Sequence, residues 1–160
     1  MTASTNYPEP KINVVSSVGA QDVVTRKQLC QDLERLGLSA GDIVCVHSAS
    51  SKIGYVIGGP RTILDALLDT VGPQGTIMMP TFTGDLSDPA KWRFPAIPPE
   101  IMDEVRSSMP GFNPDLSPSR GMGVLPELLR HRPGAVRSSH PQSSFTALGG
   151  KASELCGQHS

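Results

Sequence analysis

The feature that most constrains the fold of this chain is an alternation of helical and strand patterns in its first half. Residues 25–36 start with a threonine N-cap and carry leucines three and four residues apart, which predicts a helix of about three turns. Residues 43–46 form an apolar run rich in β-branched side chains, which predicts a strand buried on both faces. Residues 58–71 predict a second helix with a glycine-proline start, and residues 75–80 predict the next strand.

Helix, strand, loop, helix and strand in this order predict a β-α-β unit with a right-handed crossover. The sequence therefore predicts an α/β fold in which a mainly parallel sheet carries helices on both faces, a three-layer arrangement. Residues 1–20 are polar and aperiodic and predict a flexible lead, so one folded domain is expected over residues 21–160. Prolines concentrate after residue 89, which predicts loops and short helices there.

Charge and hydropathy argue against several classes of protein. The formal net charge is −1, which gives no general attraction to nucleic acid. No apolar run is long enough to cross a bilayer, and the first 20 residues do not have the pattern of a secretory signal. Cys30, Cys45 and Cys156 are not spaced as zinc ligands and are expected to be buried free thiols. We therefore expect a cytoplasmic protein without a metal, a membrane or a nucleic-acid partner.

Hydroxyl side chains follow both predicted strands, in residues 47–51 and 81–84. In a doubly wound sheet, ligands bind outside the carboxyl ends of the strands. With the glycine-opened helix at Gly58 and Gly59, these loops suit a phosphate or pyrophosphate. Turn formation and helix capping explain the same residues, and the pattern alone favours that simpler explanation because no GxGxxG or Walker loop is present.

Two histidines stand in these polar stretches. His47 follows a predicted strand directly, and on position alone a hydrogen-bonded structural role is slightly favoured over an acid–base role. His140 lies in a turn-rich stretch, where both roles are equally open.

Charge is unevenly distributed along the chain: residues 82–116 hold six acidic and three basic residues, whereas residues 117–151 hold five basic and one acidic. Solvated helix faces explain part of this, and the alternative is an acidic loop for a cationic amine beside arginines for phosphates.

Four segments resemble, in order, those of the aminoglycoside 3-N-acetyltransferases. Residues 46–59 (VHSASSKIGYVIGG) resemble VHSSLSSIG-x-V-x-GG, and residues 79–89 (MPTFTGDLSDP) resemble MPTFTGDLTDP. Residues 117–123 (SPSRGMG) resemble TPTRGMG, and residues 137–145 (RSSHPQSSF) resemble RSxHPxxSF. The family's later histidine-bearing segment, similar to GxGHxxNTSLHLAE, has no counterpart here. The resemblance therefore implies the N-terminal portion of such a domain, truncated at its C-terminus.

The resemblance implies transfer of an acetyl group from acetyl-CoA to the 3-amino group of a 2-deoxystreptamine antibiotic, and thereby antibiotic resistance. No metal is implied, and a homodimer is compatible with the resemblance. Two alternatives stay open: a CoA-binding homologue without turnover, and an acetyltransferase that acts on another amine. A nucleotide-phosphate hydrolase is disfavoured because the Walker lysine is absent.

The resemblance also implies roles for individual residues. The residues that it implies for CoA binding are Ser48, Ser50, Ser51, Gly58, Gly59, Thr81, Thr83, Ser119, Arg120, Gly121 and Met122. Asp85 and Asp88 are expected to face the cationic sugar. His47 and His140 are the histidines that fall in family segments, and they are the catalytic candidates, with positioning favoured over a base role.

Overall fold

The computed structural model describes Gly19 and residues 22–160. The lead expected over residues 1–20 therefore lies outside the described residues, except for Gly19. Within them the strands and α-helices, in chain order, are β1 (Val23–Val24), α1 (Arg26–Arg35), β2 (Ile43–Cys45), β3 (Tyr55–Val56), α2 (Gly59–Val71), β4 (Thr76–Pro80), α3 (Met102–Ser108), α4 (Val124–Arg130), β5 (Val136–Arg137), β6 (Phe145–Gly149) and α5 (Ala152–Gly157).

The two long helices form where their patterns predicted them. The N-cap of α1 is Thr25, whose Oγ1 accepts a hydrogen bond from the backbone N–H of Gln28 at 3.2 Å. Helix α2 begins after Gly58 and ends at Gly72, and its apolar stripe is buried. The predicted strands on either side of α2 are confirmed as β2 and β4, so the β-α-β unit is confirmed.

The larger sheet has the strand order β2-β4-β6-β5. Strand β2 is parallel to β4, whereas β6 is antiparallel to both β4 and β5. The mixed α/β class is therefore confirmed, but the prediction of a mainly parallel sheet is wrong. The reason lies in β6, which the sequence patterns did not reveal. It follows β5 after only residues 138–144, and so short a connection joins antiparallel strands, since a parallel pair needs a crossover of a dozen residues or more.

The two predicted strands differ in burial. Strand β4 lies between two neighbours, and Ile77 and Met79 are fully buried. Strand β2 is at the edge of the sheet, and Ile43 is 54% exposed. The prediction that residues 43–46 are buried on both faces is therefore wrong: Val44 and Val46 pack against the apolar side chains of the helices, whereas Ile43 and Cys45, on the opposite face of the strand, are exposed. Of the three cysteines, only Cys156 fulfils the expectation of a buried thiol, Cys30 being half-buried.

Apolar side chains form two clusters that meet at β4. The larger cluster joins α1, α2 and α4 and includes Ile77 and Met79. The smaller one joins Ala147 of β6 to Cys156 of α5 and is packed against by Met78. Successive side chains of β4 thus alternate between the clusters, as the pleat of a strand requires. Over the part of the chain that the structure describes, no helix has both the length and the apolar character needed to span a membrane.

Candidate functional site

The polar segments after β2 and β4 lie at the same edge of the sheet. We call residues 47–51 the outer tip, because they follow the edge strand, and residues 81–84 the inner tip. The two strands are parallel, and the backbone N–H of Val46 donates to the carbonyl of Met78 at 2.8 Å. Helix α2 connects β2 to the start of β4, so its own start, after Gly58, is also at this edge.

The two threonines of the inner tip are buried, and their hydroxyls are engaged in hydrogen bonds. Thr81 is 0% exposed, and its hydroxyl donates to the carbonyl of Ser144 at 3.2 Å and accepts from the Thr146 hydroxyl at 3.1 Å. The Ser144 hydroxyl donates in turn to the carbonyl of Thr81 at 2.8 Å. The Thr83 hydroxyl, also buried, donates to the carbonyl of Pro141. Both threonines were predicted to contact the cofactor, but their hydroxyls bind protein atoms inside the fold.

Arg137, at the end of β5, connects this hydrogen-bond network to the loop that contains Pro114 and Ser117. Its Nη2 donates to the carbonyl of Thr81 at 2.6 Å and its Nε to the Ser144 hydroxyl at 3.0 Å. Its Nη1 donates to the carbonyls of Pro114, at 3.0 Å, and Ser117. These partners are all neutral. Burial, followed by the nearby Arg130 charge, lowers the pKa of Arg137 from its ordinary value. The quoted RSxHPxxSF segment contains this residue, but nothing in the sequence pattern indicated its structural role.

A third segment, residues 117–123, is bound to the inner tip through the backbone. The N–H of Arg120 donates to the carbonyl of Phe82 at 2.8 Å. The N–H of Ser119 donates to Glu127 of α4 at 2.7 Å, and Arg130 donates to the same carboxylate oxygen at 2.8 Å. Burial favours protonation of Glu127, but the hydrogen bonds from Arg130 and Ser119 outweigh it and hold its pKa at about 2.

The acidic stretch, residues 82–116, and the basic stretch, residues 117–151, are in contact at the ion pair between Asp85 and Arg120, while Asp88 pairs within its own stretch. The Asp85 carboxylate accepts a hydrogen bond from Arg120 at 2.8 Å, and Asp88 pairs with Arg106 at 3.1 Å. The hydrogen bond from the Ala90 N–H, followed by that from Arg106, lowers the pKa of Asp88. A cavity of about 450 Å³ opens beside the first pair, and its lining consists of Gly84, Asp85, Trp92, Arg93, Phe94, Pro95 and Arg120.

The outer tip is open to solvent. His47, Ser48 and Ser51 are exposed, and Ser50 is half-buried at the start of a short 3₁₀ turn, Ser50–Lys52. Nε2 of His47 lies 3.9 Å from the Sγ of Cys45, and partial desolvation raises the pKa of this thiol although the residue as a whole is exposed. Directly beneath this tip is a second, apolar cavity of about 250 Å³.

Backbone conformation explains why glycine occupies positions 58 and 59 at the start of α2. Gly58 and Gly59 have φ angles of +81° and +64°, which side chains other than glycine rarely adopt. A Cβ on Gly58 would lie 2.3 Å from the Oγ1 of Thr62. The backbone therefore turns sharply here, with the Thr62 side chain packed close against Gly58.

His140 closes the site on the side of β6. Its Nδ1 accepts hydrogen bonds from the N–H groups of Gln142, at 3.2 Å, and Ser143, at 2.9 Å. Its ring stacks on that of His159, with centroids 5.3 Å apart, and Nδ1 of His159 lies 3.0 Å from the Ser138 hydroxyl. These contacts match the structural role that stayed open for His140. They engage its Nδ1 and do not involve its other ring nitrogen, Nε2. His159 was not predicted, since only the fold brings it here from α5.

The structure thus brings the four quoted segments to one edge of the sheet. Direct hydrogen bonds join the inner tip, residues 117–123 and the His140 turn, and the parallel pairing of β2 with β4 brings the outer tip beside them. Gly121 is exposed and Met122 half-buried in the same stretch as Arg120. Among the residues with described positions, no group of three or more histidines, cysteines and carboxylates could hold a metal ion.

Comparison with known proteins gives one consistent family. The model of a family described as aminoglycoside 3-N-acetyltransferase matches residues 45–160. Aminoglycoside N(3)-acetyltransferase VIII of Streptomyces fradiae is 48% identical over 139 residues, which make up 85% of this chain and 47% of that protein. This chain spans about half the length of the curated relatives that it matches.

Solved structures agree with the sequence comparison. The crystal structure of the YokD protein from Bacillus subtilis superposes with a TM-score of 0.82 at 43% identity, over 85% of this chain and 55% of that one. A structure described as AAC-IIIb binary with CoASH gives a TM-score of 0.70 at 42% identity, over 86% of this chain and 50% of that one.

Proposed function

Because this chain belongs to the aminoglycoside 3-N-acetyltransferase family, we propose that it serves the transfer of an acetyl group from acetyl-CoA to the 3-amino group of a 2-deoxystreptamine antibiotic. Such a transfer confers resistance, since the ammonium charge at that position is lost. The observation that carries the proposal is the convergence of the four family segments at one edge of the sheet.

The reaction sets three requirements. A base removes a proton from the 3-ammonium group, so that the free amine can attack the thioester carbonyl. Hydrogen-bond donors stabilise the tetrahedral oxyanion, and removal of one such donor typically raises the barrier by about 2.7–4 kcal/mol. As the tetrahedral intermediate collapses, the nitrogen loses a second proton, the carbon–sulfur bond breaks, and the thiolate of CoA leaves. The site must therefore hold a long anionic cofactor and a polycationic sugar side by side.

The outer tip and the start of α2 are the proposed place for the cofactor. Ser48, Ser50 and Ser51 offer hydroxyls, and the turn at Gly58 and Gly59 opens the positive end of a 13-residue helix. A related protein has been solved with CoASH bound, which supports the same class of ligand here. Thr81 and Thr83 are proposed to shape this site from inside, while Ser119, Arg120, Gly121 and Met122 form its rim.

The cavity of about 450 Å³ is the proposed place for the amine substrate. It combines the Asp85 carboxylate with the aromatic rings of Trp92 and Phe94, groups that suit a cationic sugar. Asp85 is half exposed and paired with Arg120, so an ammonium group would have to share or replace that partner. Asp88 is paired with Arg106 in the same way, and it is proposed as a second acidic residue that contacts the amine substrate.

His47 and His140 are proposed as positioning residues. His47 is exposed at the outer tip and can reach a ligand through its ring. His140 has its Nδ1 engaged by two backbone N–H groups, which would keep the proton of the neutral ring on Nε2.

The wider arrangement is also proposed. Residues 21–160 would be part of a three-layer α/β domain, and the support is that alternate side chains of β4 belong to clusters formed with different helices. A cytoplasmic location is supported by three free cysteines. Acetyl-CoA and an aminoglycoside-like amine are the proposed partners, and a homodimer is proposed on account of the exposed Ile43 at the free edge of β2.

One experiment separates the alternatives. The purified chain is titrated with acetyl-CoA by calorimetry, and release of free CoA thiol is then followed with a panel of 2-deoxystreptamine antibiotics and simple amines. We expect saturable binding and thiol release with the antibiotics only. Binding without release would assign the chain to CoA binding without turnover, and release with other amines would change the substrate class. Absence of acetyl-CoA binding would contradict the proposal.

A further inference from the structure

The apolar cavity beneath the outer tip has the geometry of a binding site for a hydrocarbon chain. Its walls come from three helices and include Leu29, Leu33, Ile63, Leu67 and Leu125. The two polar residues in its lining are His47 and Ser48, which are both exposed. The cavity is therefore apolar inside and has its polar groups on the side that faces the proposed cofactor site.

Burial of the core shows that this cavity is open. Leu64 and Leu129, in the same apolar cluster, are fully buried at 0% exposure. Leu29, Ile63 and Leu67, which line the cavity, retain 8%, 7% and 6%, whereas Leu125, also in the lining, retains 1%. Protein interiors are normally packed without such gaps, because an unfilled apolar surface loses its contacts. The opening is thus a local departure from close packing at the point where the proposed thioester would sit.

We propose that this cavity receives the acyl chain of a CoA thioester, and that the chain therefore binds thioesters with acyl groups longer than acetyl. The inference rests on the proposed function, which puts the cofactor at the outer tip, and it adds that the thioester end of the cofactor lies beside His47 and Ser48. The volume of about 250 Å³ lies below the range of about 300–1,000 Å³ that is usual for whole drug-sized ligands. It therefore suits a short hydrocarbon chain, with the rest of the cofactor outside.

The expected signature is a dependence of affinity on chain length. Burial of one methylene group strengthens binding by about fourfold when the burial is complete. Between acetyl-CoA and hexanoyl-CoA we expect a gain of about tenfold or more, since four methylenes are added and burial in a partly open cavity is incomplete. The gain should level off once the chain fills the cavity.

The test is a calorimetric titration of the full chain with CoA, acetyl-CoA, butyryl-CoA and hexanoyl-CoA. Leu33→Phe enlarges a half-buried side chain of the cavity wall and should remove the gain while CoA itself binds as before. Leu128→Phe is the matched control, because Leu128 is a half-buried leucine of the same cluster outside the cavity lining. Thermal unfolding of both variants establishes that they are folded.

Equal affinity within about twofold across the series, or a gain that survives Leu33→Phe but not Leu128→Phe, would overturn the inference. If CoA does not bind at all, the proposed function fails, and the cavity is then probed with the hexanoyl thioester of N-acetylcysteamine. Shifts of the methyl NMR signals of Ile63 and Leu125 would support an acyl site independent of CoA. Unchanged methyl signals would contradict it.

Discussion

The inner and outer tips begin with the same sequence pattern and end in opposite environments. Each is an apolar strand followed by small hydroxyl residues. At the inner tip Thr81 and Thr83 are buried and hydrogen-bonded to the turn around Ser144, whereas at the outer tip Ser48 and Ser51 are exposed. The difference follows from the sheet, because β4 has neighbours on both sides and β2 has one.

The two tips thus differ in role: buried residues support the shape of the site, and exposed residues can contact a ligand. Buried hydroxyls that bind protein atoms fix the shape of the site, since leaving a buried polar group without a partner is unfavourable. Exposed hydroxyls are free to bind a ligand but contribute little to folding. Substitutions at the inner tip should therefore change the stability of the fold, and substitutions at the outer tip and the rim should change binding. The following predictions test that division.

The largest effect is expected for Arg137→Ala. It removes the donor to the carbonyls of Pro114 and Ser117 and one of the two donors to the carbonyl of Thr81, which keeps the Ser144 hydroxyl. We expect the free energy of unfolding to fall by about 2–4 kcal/mol, because several hydrogen bonds to one half-buried charged side chain are lost together. Urea denaturation measures this. Arg137→Lys, which keeps the charge but not the planar fork, should restore only part of the loss. A loss under about 1 kcal/mol would mean that the inner tip does not depend on this network.

Thr81→Val and Ser48→Ala form a direct pair across the two tips. The valine keeps the volume of Thr81 but leaves the hydroxyl of Thr146 without its acceptor, so we expect a loss of about 1–3 kcal/mol in the free energy of unfolding. Ser48 is exposed, and its replacement should change stability by less than about 0.5 kcal/mol. Denaturation midpoints of both variants, compared with that of the parent, measure the two losses. Equal losses at the two positions would break the comparison.

The sequence predicted the positions of helices and strands more accurately than the burial of those elements and the identity of their neighbours in the sheet. Helices α1 and α2 carry apolar residues at helical spacing, and the Thr25 cap and the glycines around α2 mark their ends, so local patterns were enough to locate them, although Leu36 of the predicted stripe is 84% exposed. The burial of β2 could not be predicted, because the apolar run Ile43-Val44-Cys45-Val46 is equally compatible with a central and an edge strand. The antiparallel strand β6 was missed, since Phe145–Gly149 holds three small residues and no long β-branched run.

The candidate site shows the same limit. The quoted segments contained the residues that meet at the strand tips, and their convergence follows from the parallel pairing of β2 with β4. The sequence could not predict that Thr81 and Thr83 would be engaged inside, since that depends on the turn near Ser144, 63 residues further along the chain for Thr81. Nor could it predict the pairing of His140 with His159, which only the packing of α5 on β6 produces.

A pH dependence tests the segment that joins α4 to the inner tip. The pKa of Glu127 is held at about 2, below its ordinary value of 4.5, so its contribution to stability is present above about pH 4.5 and is lost as the pH falls toward 2. After allowance for solvent screening we expect about 1–2 kcal/mol. Glu127→Gln should unfold with a shallower loss of stability than the parent over this window. Glu154→Gln, at an exposed ion pair, is the control and should follow the parent curve.

The smallest effect on stability is expected at the rim, where Arg120 is 67% exposed and paired with Asp85. Exposed ion pairs contribute about 0–1 kcal/mol to folding, so Arg120→Ala should leave the denaturation midpoint almost unchanged. If Arg120 contacts a phosphate of the cofactor, the same variant should weaken CoA binding by about 1–3 kcal/mol, the range for a charged hydrogen bond. Arg106→Ala is the matched control, since Arg106 is paired with Asp88 in the same way and is not expected to touch the cofactor. Calorimetric titration of both variants with CoA gives the answer: equal affinities would remove Arg120 from the cofactor site and reduce it to a partner of Asp85.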